Sequence, residues 1–185
     1  MLDLSIITPS VRPHSLAHFL DYLHRQSADG FEHECLVVQE SDSDFNGFEC
    51  LRYGLKCRVL RQAIHNDCGA FARDQAILEA RGEYVAFWDD DNIYYPHAMA
   101  SVLLAAAGYD VGIVRVRYRD RVIPVGAGVV AGEIDTMCMC VRRDLASRVK
   151  WVDGGGRYSD FRWISRVAKL TTSINHSKVI IGEHL

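Results

Sequence analysis

The chain has no apolar run approaching the roughly 18–20 residues that a membrane span needs, and it contains only 4 prolines in 185 residues. Its six cysteines, Cys35, Cys50, Cys57, Cys68, Cys138 and Cys140, form no Cys-x-x-Cys pair, which argues against a thiolate metal site. Positive charge is not in excess either. Lys plus Arg is 21 and Asp plus Glu is 24, a formal net charge of −3, so the basic footprint of a general nucleic-acid binder is missing. The opening Met1-Leu2-Asp3-Leu4-Ser5 lacks the basic n-region and cleavage site of an export signal. A cytoplasmic protein with reduced thiols is the expectation.

What remains is an ordinary globular composition, 49% hydrophobic and 24% charged, which excludes disorder and low complexity. A chain of this length buries roughly 70% of the surface that its unfolded form exposes. Halving it would leave two pieces below the usual domain size, so one domain over residues 1–185 is expected.

The first half alternates strand and helix. Leu4-Ser5-Ile6-Ile7-Thr8-Pro9, Cys35-Leu36-Val37-Val38, Cys57-Arg58-Val59-Leu60 and Tyr84-Val85-Ala86-Phe87-Trp88 read as buried strands. Between them Ser15–Gln26 and Cys68–Ala80 have helical spacing, the second stopped at Gly82, and Pro96 opens a third helix to about Ala106. That order predicts βαβ units on a mixed, mostly parallel sheet flanked by helices, an α/β fold. Beyond it, strands are expected at Asp110–Tyr118, Asp135–Val141, Thr171–Ile174 and Val179–Ile181, with an amphipathic helix over Asp160–Leu170. The Gly154-Gly155-Gly156 run reads as a mobile loop over a site.

Asp89-Asp90-Asp91, at the carboxyl end of an apolar strand, is the strongest chemical feature. Three consecutive carboxylates repel one another unless a cation or donors compensate, and open α/β sheets bind ligands at the carboxyl ends of their strands. Such a carboxylate suits Mg²⁺ or Mn²⁺ bridging to substrate phosphates; a solvated acidic turn capping the next helix is the alternative. Thr8-Pro9-Ser10, Gln39-Glu40-Ser41 and His65–Arg73 end on the same edge if the sheet is parallel. Glu40 could then accept a hydrogen bond from a base, and Arg73 could face phosphate charge.

These segments, together with Ala72-Arg73-Asp74, the stretch from Ala80 through Asp89-Asp90-Asp91 to Pro96, Cys138–Arg143 and Tyr158-Ser159-Asp160-Phe161-Arg162-Trp163, resemble family 2 glycosyltransferases of the GT-A fold. The resemblance implies an inverting transferase that moves a sugar from a nucleotide-diphosphate sugar, UDP- or GDP-linked, to an acceptor hydroxyl such as that of a growing glycan. It implies Mn²⁺ or Mg²⁺ as cofactor. By position Asp91 would be the metal ligand, with Asp89 and Asp90 near ribose and metal, and His184, or else His176, would add a further metal contact. Thr8, Pro9, Ser10 and Arg12 would line the base pocket, and Glu40 stands where the family commonly has an Asp contacting the base. Arg73 would join this nucleotide-sugar set. Asp160 matches the catalytic base, with Ser159 where the family commonly has a Glu. Residues 1–107 would form the nucleotide-sugar and metal half, and residues 108–185 the acceptor and base half. The chain is short for the family, so either another subunit of a homo-oligomer would complete the acceptor pocket or the acceptor would be small.

Two other classes stay open from the sequence. A sugar-phosphate nucleotidyltransferase shares the acidic metal site but usually opens with a Gly-rich loop, absent from Thr8-Pro9-Ser10-Val11-Arg12. A non-catalytic nucleotide-sugar binding protein would keep the cleft without the base. Displacement at an anomeric carbon requires a base in reach of the acceptor hydroxyl; the bland reading of Asp160 is capping of its helix. Trp88 and Trp163 read as core, whereas Trp151, beside the glycine run, is expected to stack on a sugar or acceptor. Arg115, Arg117, Arg119 and Arg121 recur at every second position, either as a solvated edge or as a strip for an anionic acceptor.

Overall fold

Residues 2–11, 13–26, 30–39, 55–63, 65, 67–152 and 158–185 are described by a computed structural model. Arg12, Glu40 and the Gly154–Gly156 run lie outside the described residues.

The first half follows the expected alternation. Strands β1 (Leu4–Ser10), β2 (His33–Gln39), β3 (Cys57–Arg61) and β4 (Tyr84–Phe87) are parallel, in the order β3-β2-β1-β4. Helix α1 spans Pro13–His24, and α2 spans Ala70–Glu79. The strands are continuous apolar runs because both faces are covered; Leu4, Ile6, Ile7, Leu36, Val37 and Phe87 are wholly buried.

A buried acid ties this half together. Glu34 accepts from Ser5 Oγ (2.8 Å) and Arg81 N (2.8 Å), and Arg58 Nη1 lies 3.3 Å from its other oxygen. Gly82 N in turn donates to Ser5 Oγ at 2.9 Å. A Cβ on Gly82 would sit 2.6 Å from the backbone of Leu4 and Ser5, so only glycine lets the turn before β4 close onto β1.

The second half is mixed. After β5 (Ile93–Tyr94) and α3 (Ala98–Ala106) come β6 (Val111–Tyr118), β7 (Arg121–Ile123), a 3₁₀ turn (Thr136–Cys138), β8 (Met139–Arg142), α4 (Arg143–Ala146), α5 (Ser159–Ala168) and β9 (Ile174–His184). The sheet continues β4-β8-β6-β9-β5, with β7 paired to β6. β8 is antiparallel to both β4 and β6, and β9 is parallel to β6. The ends of β1, β4, β6 and β9 and the start of β8 therefore meet on one edge.

Two expected elements change. The strand predicted from Asp135 begins only at Met139, because Asp135 caps the 3₁₀ turn by accepting from Met137 N at 3.0 Å. Of the short strands predicted at 171–174 and 179–181, the second lies inside one long strand, β9, and only Ile174 of the first belongs to it. Its register against β6 shifts twice, and the polar Ser177-Lys178 at the first shift interrupts the apolar pattern of the strand.

Trp151, expected as a sugar platform, is core. It is fully buried, stacked on Trp163 at 4.6 Å and edge-on to Phe87 at 5.1 Å. Trp88 and Trp163 are buried as expected. Cys35, Cys138 and Cys140 are buried free thiols, and burial pushes the thiols of Cys138 and Cys140 up, away from the reactive thiolate. Among the described residues no helix is long and apolar enough to cross a membrane.

Candidate active site

Trp88 leaves the β4 ladder, and Asp89, Asp90 and Asp91 then turn along the sheet edge. Tyr94 Oη holds the turn by donating to the Asp89 carbonyl at 2.9 Å, and Asn92 Oδ1 accepts from Leu185 N at 3.2 Å. The end of β9 is thus pinned beside the acidic turn.

The three carboxylates have different surroundings. Asp89 meets Arg73 Nη2 at 2.5 Å through one oxygen and accepts from Thr136 Oγ1 at 3.0 Å through the other. Asp90 is buried and accepts from Ser10 Oγ at 2.5 Å, joining the ends of β1 and β4. Asp91 is exposed. Mutual repulsion, the objection raised by the sequence, is relieved because donors from β1, α2 and the 3₁₀ turn satisfy two of the three.

Arg73, expected to face phosphate, is instead turned inward and only 4% exposed. It donates to the Cys68 carbonyl at 2.7 Å and lies 4.9 Å from the ring centre of Trp151, so its charge serves Asp89. Its neighbour Asp74 accepts from Trp151 N at 2.8 Å and Val152 N at 3.3 Å, anchoring the chain that leads toward α5. Thr8 is wholly buried and its Oγ1 has no hydrogen-bond partner among the described residues; Pro9 is half-buried.

Asp135, missed in the sequence because its segment read as a strand, is a central residue of the site. It is buried, one oxygen caps the 3₁₀ turn, and the other lies 3.0 Å from His184 Nδ1. That contact is an ion pair by distance, although the carboxylate lies off the direction in which a ring N–H would point. Asp135, then desolvation in the opposite sense, then Asp89 and Asp91 act on His184, with a net upward shift. His184 therefore belongs to the acidic edge. His176 does not: it pairs with Ile113 in the middle of the β6–β9 ladder and lines a separate pocket.

Asp160 lies in the first turn of α5 and accepts from Ser159 Oγ at 3.1 Å. Tyr158 occupies the N-cap position in the left-handed region (φ 67°) and gives no side-chain cap. Burial raises the Asp160 carboxyl to about 6, assisted by the charges of Asp135 and Asp89 and opposed by Arg73 and by Ser159. The same three charged groups that organise the acidic turn thus act on Asp160.

Among the described residues no three His, Cys, Asp or Glu side chains converge to enclose a metal. Mg²⁺ and Mn²⁺ need no such cage, since they are commonly held by one or two protein ligands plus water and phosphate oxygens. Asp91, exposed, and His184, beside it on the same edge, fit that donor set. Both Asp89 oxygens already have partners, so Asp89 fits an orienting role better than direct ligation.

The sequence model of the family described as "Glycosyl transferase family 2" matches residues 5–129. No curated protein sequence matches the chain. Solved structures share its fold at low identity. S. aureus TarS 1-349 in complex with UDP-GlcNAc superposes with a TM-score of 0.76 at 16% identity, covering 99% of this chain and 58% of that one. Mannosyltransferase PcManGT from Pyrobaculum calidifontis, in complex with GDP-Man and Mn²⁺, gives 0.70 at 18% identity, covering 98% and 56%. Glucosyl-3-phosphoglycerate synthase from Mycobacterium tuberculosis, in complex with phosphoglyceric acid, gives 0.68 at 15%, covering 100% and 72%. The curled mixed sheet with flanking helices is the GT-A architecture of these proteins. The chain spans about 60% of the TarS 1-349 structure.

Proposed function

The chain belongs to glycosyl transferase family 2, and from that premise we propose that it transfers a sugar from a nucleotide-diphosphate sugar to an acceptor hydroxyl, with inversion and with Asp160 as general base. Residues 1–107 bind the donor, residues 108–185 carry the acceptor site and the base, and Thr136 and His184 reach back to the acidic turn.

Each named group has a task that its surroundings favour. A carboxyl raised to about 6 is largely ionised at neutral pH yet basic enough to take a proton from an alcohol as the new bond forms. Ser159 Oγ fixes its rotamer. Asp90, locked to Ser10, presents a fixed acceptor at the junction of β1 and β4, where a ribose would lie in a ligand bound at the strand ends. Thr8 Oγ1, buried without a partner among the described residues, would offer a hydrogen bond to the base. Asp91 and His184 would hold Mn²⁺ or Mg²⁺, which when bound neutralises charge on the leaving diphosphate. UDP-GlcNAc and GDP-Man in the structural neighbours make UDP- and GDP-sugars the first donors to test.

The observation that carries the reading is that Asp160, 69 to 71 positions after the acidic triplet, is buried within electrostatic reach of Asp135, Arg73 and Asp89. A base and a diphosphate site on one edge are what an inverting displacement needs. The test is Asp160→Asn, assayed for transfer with UDP- and GDP-sugars and for donor binding by calorimetry. Loss of transfer with donor affinity kept supports the base; unchanged turnover overturns it. Metal-dependent nucleotide binding without any turnover in the unaltered chain would instead support the non-catalytic alternative.

A further inference from the structure

Strand β9 leaves its ladder with β6 just after His176. Ile113 is in register with His176, yet Arg115, two residues on, is in register with Ile180. The extra length, Ser177-Lys178-Val179, bulges, and its Ser177 and Lys178 form one side of a pocket of about 150 Å³; Gly126 and Ala127, beyond the β6–β7 hairpin, form part of the other.

Arg115, His176 and Lys178 all line this pocket. Arg115 commits one Nη2 hydrogen to the Val125 carbonyl at 3.1 Å, and its remaining donors and those of Lys178 have no partner among the described residues. His176 also lines the pocket, although its Nδ1 is shut off from solvent and is unpartnered among the described residues. A lysine on a bulge serves to protect a strand edge, but that purpose does not call for an arginine and a histidine lining the same pocket.

We propose that this pocket binds a phosphate group. Arg115 and Lys178 supply two positive charges against the dianion of a phosphomonoester, and Ser177 Oγ, which accepts from Val179 N at 3.3 Å, keeps its hydroxyl hydrogen to donate. Arg115 lies three residues before Tyr118, on the order of 10 Å along the strand and on its opposite face, and the Tyr118 ring sits 5.0 Å from that of His184. An acceptor carrying that phosphate would have to pass round the strand to the reacting edge. This last step rests on the transferase reading; the phosphate site itself does not.

The test follows the His176 imidazole of the full chain by NMR, assigned with His176→Gln, while sodium phosphate is titrated against sodium chloride at equal ionic strength. A saturable shift with a midpoint on the order of 1–10 mM is expected. Arg115→Gln and Lys178→Gln should each weaken it about fivefold or more, with melting temperatures showing that both variants fold. Glycerol 3-phosphate binding more tightly than inorganic phosphate assigns the group to an organic acceptor, whereas equal affinity assigns a free anion. A response no larger than that to chloride, or one that survives in the Arg115→Gln/Lys178→Gln double variant, overturns the site. Absence of sugar transfer with the phosphate response intact would count against the transferase reading alone.

Discussion

His184 Nδ1 lies 3.0 Å from Asp135 Oδ2, joining the last strand to the turn before β8. Asp135 also acts on Asp160, raising its carboxyl. One buried carboxylate therefore biases two groups toward their protonated forms. Replacing Asp135 with Asn removes that negative charge, so both protonation midpoints should fall. The measurable consequence is a shift of the acidic limb of the kcat–pH profile to lower pH; an unmoved limb would show that Asp135 does not reach Asp160.

In the unaltered protein, the proposed transfer should rise through a midpoint of about 6 as Asp160 ionises. Stability has the opposite slope. Between the ordinary carboxyl value of 3.8 and about 6, the folded state binds more protons than the unfolded one, so this group's contribution falls as pH rises across that window. Asp160→Asn should thus abolish transfer yet stabilise the fold at pH 8 by at most about 3 kcal/mol, read from urea denaturation at pH 8 and pH 4.5.

Asp91→Ala and His184→Ala should each weaken Mn²⁺-dependent nucleoside-diphosphate binding about tenfold or more while leaving metal-free binding unchanged. Excess EDTA should abolish turnover, and Mn²⁺ should restore it. Calorimetry with and without metal separates this from a general loss of affinity.

Arg73→Met would leave Asp89 without its cation. Asp89 keeps 29% of its side chain exposed, so the loss should fall below that of a fully buried pair, about 2–3 kcal/mol. Adding Asp89→Asn to the variant should recover part of it, because no uncompensated charge then remains. An additive double-mutant cycle would show that the pair is not coupled.

A Cβ on Gly182 would stand 2.1 Å from the Ile93 carbonyl oxygen. Gly182→Ala should force β9 from β5 and move His184, two residues on. The expected result is about 2–4 kcal/mol less stability together with weaker metal-dependent nucleotide binding, both measured on the same preparation.

The parallel half was legible because its strands are short apolar runs separated by helical spacing, and Leu4–Ser10, His33–Gln39 and Tyr84–Phe87 fall within a few residues of where that pattern places them. The second half was less so. The bulge in β9 broke its apolar pattern into two pieces, and Asp135 was absorbed into an apparent strand. Its cue was the capping pattern of a small polar turn, Asp135-Thr136, just ahead of apolar Met137-Cys138-Met139.

Residue order by itself determined the α/β class, the acidic end of β4 and the family resemblance, since these depend on local periodicity and contiguous motifs. Only the tertiary structure decided that Arg73 turns inward to Asp89, that Trp151 belongs to the core, and that His184 rather than His176 stands at the acidic edge. Those outcomes depend on contacts between positions 16 to 78 residues apart, where antiparallel β8 and the register of β9, not sequence spacing, set which side chains meet.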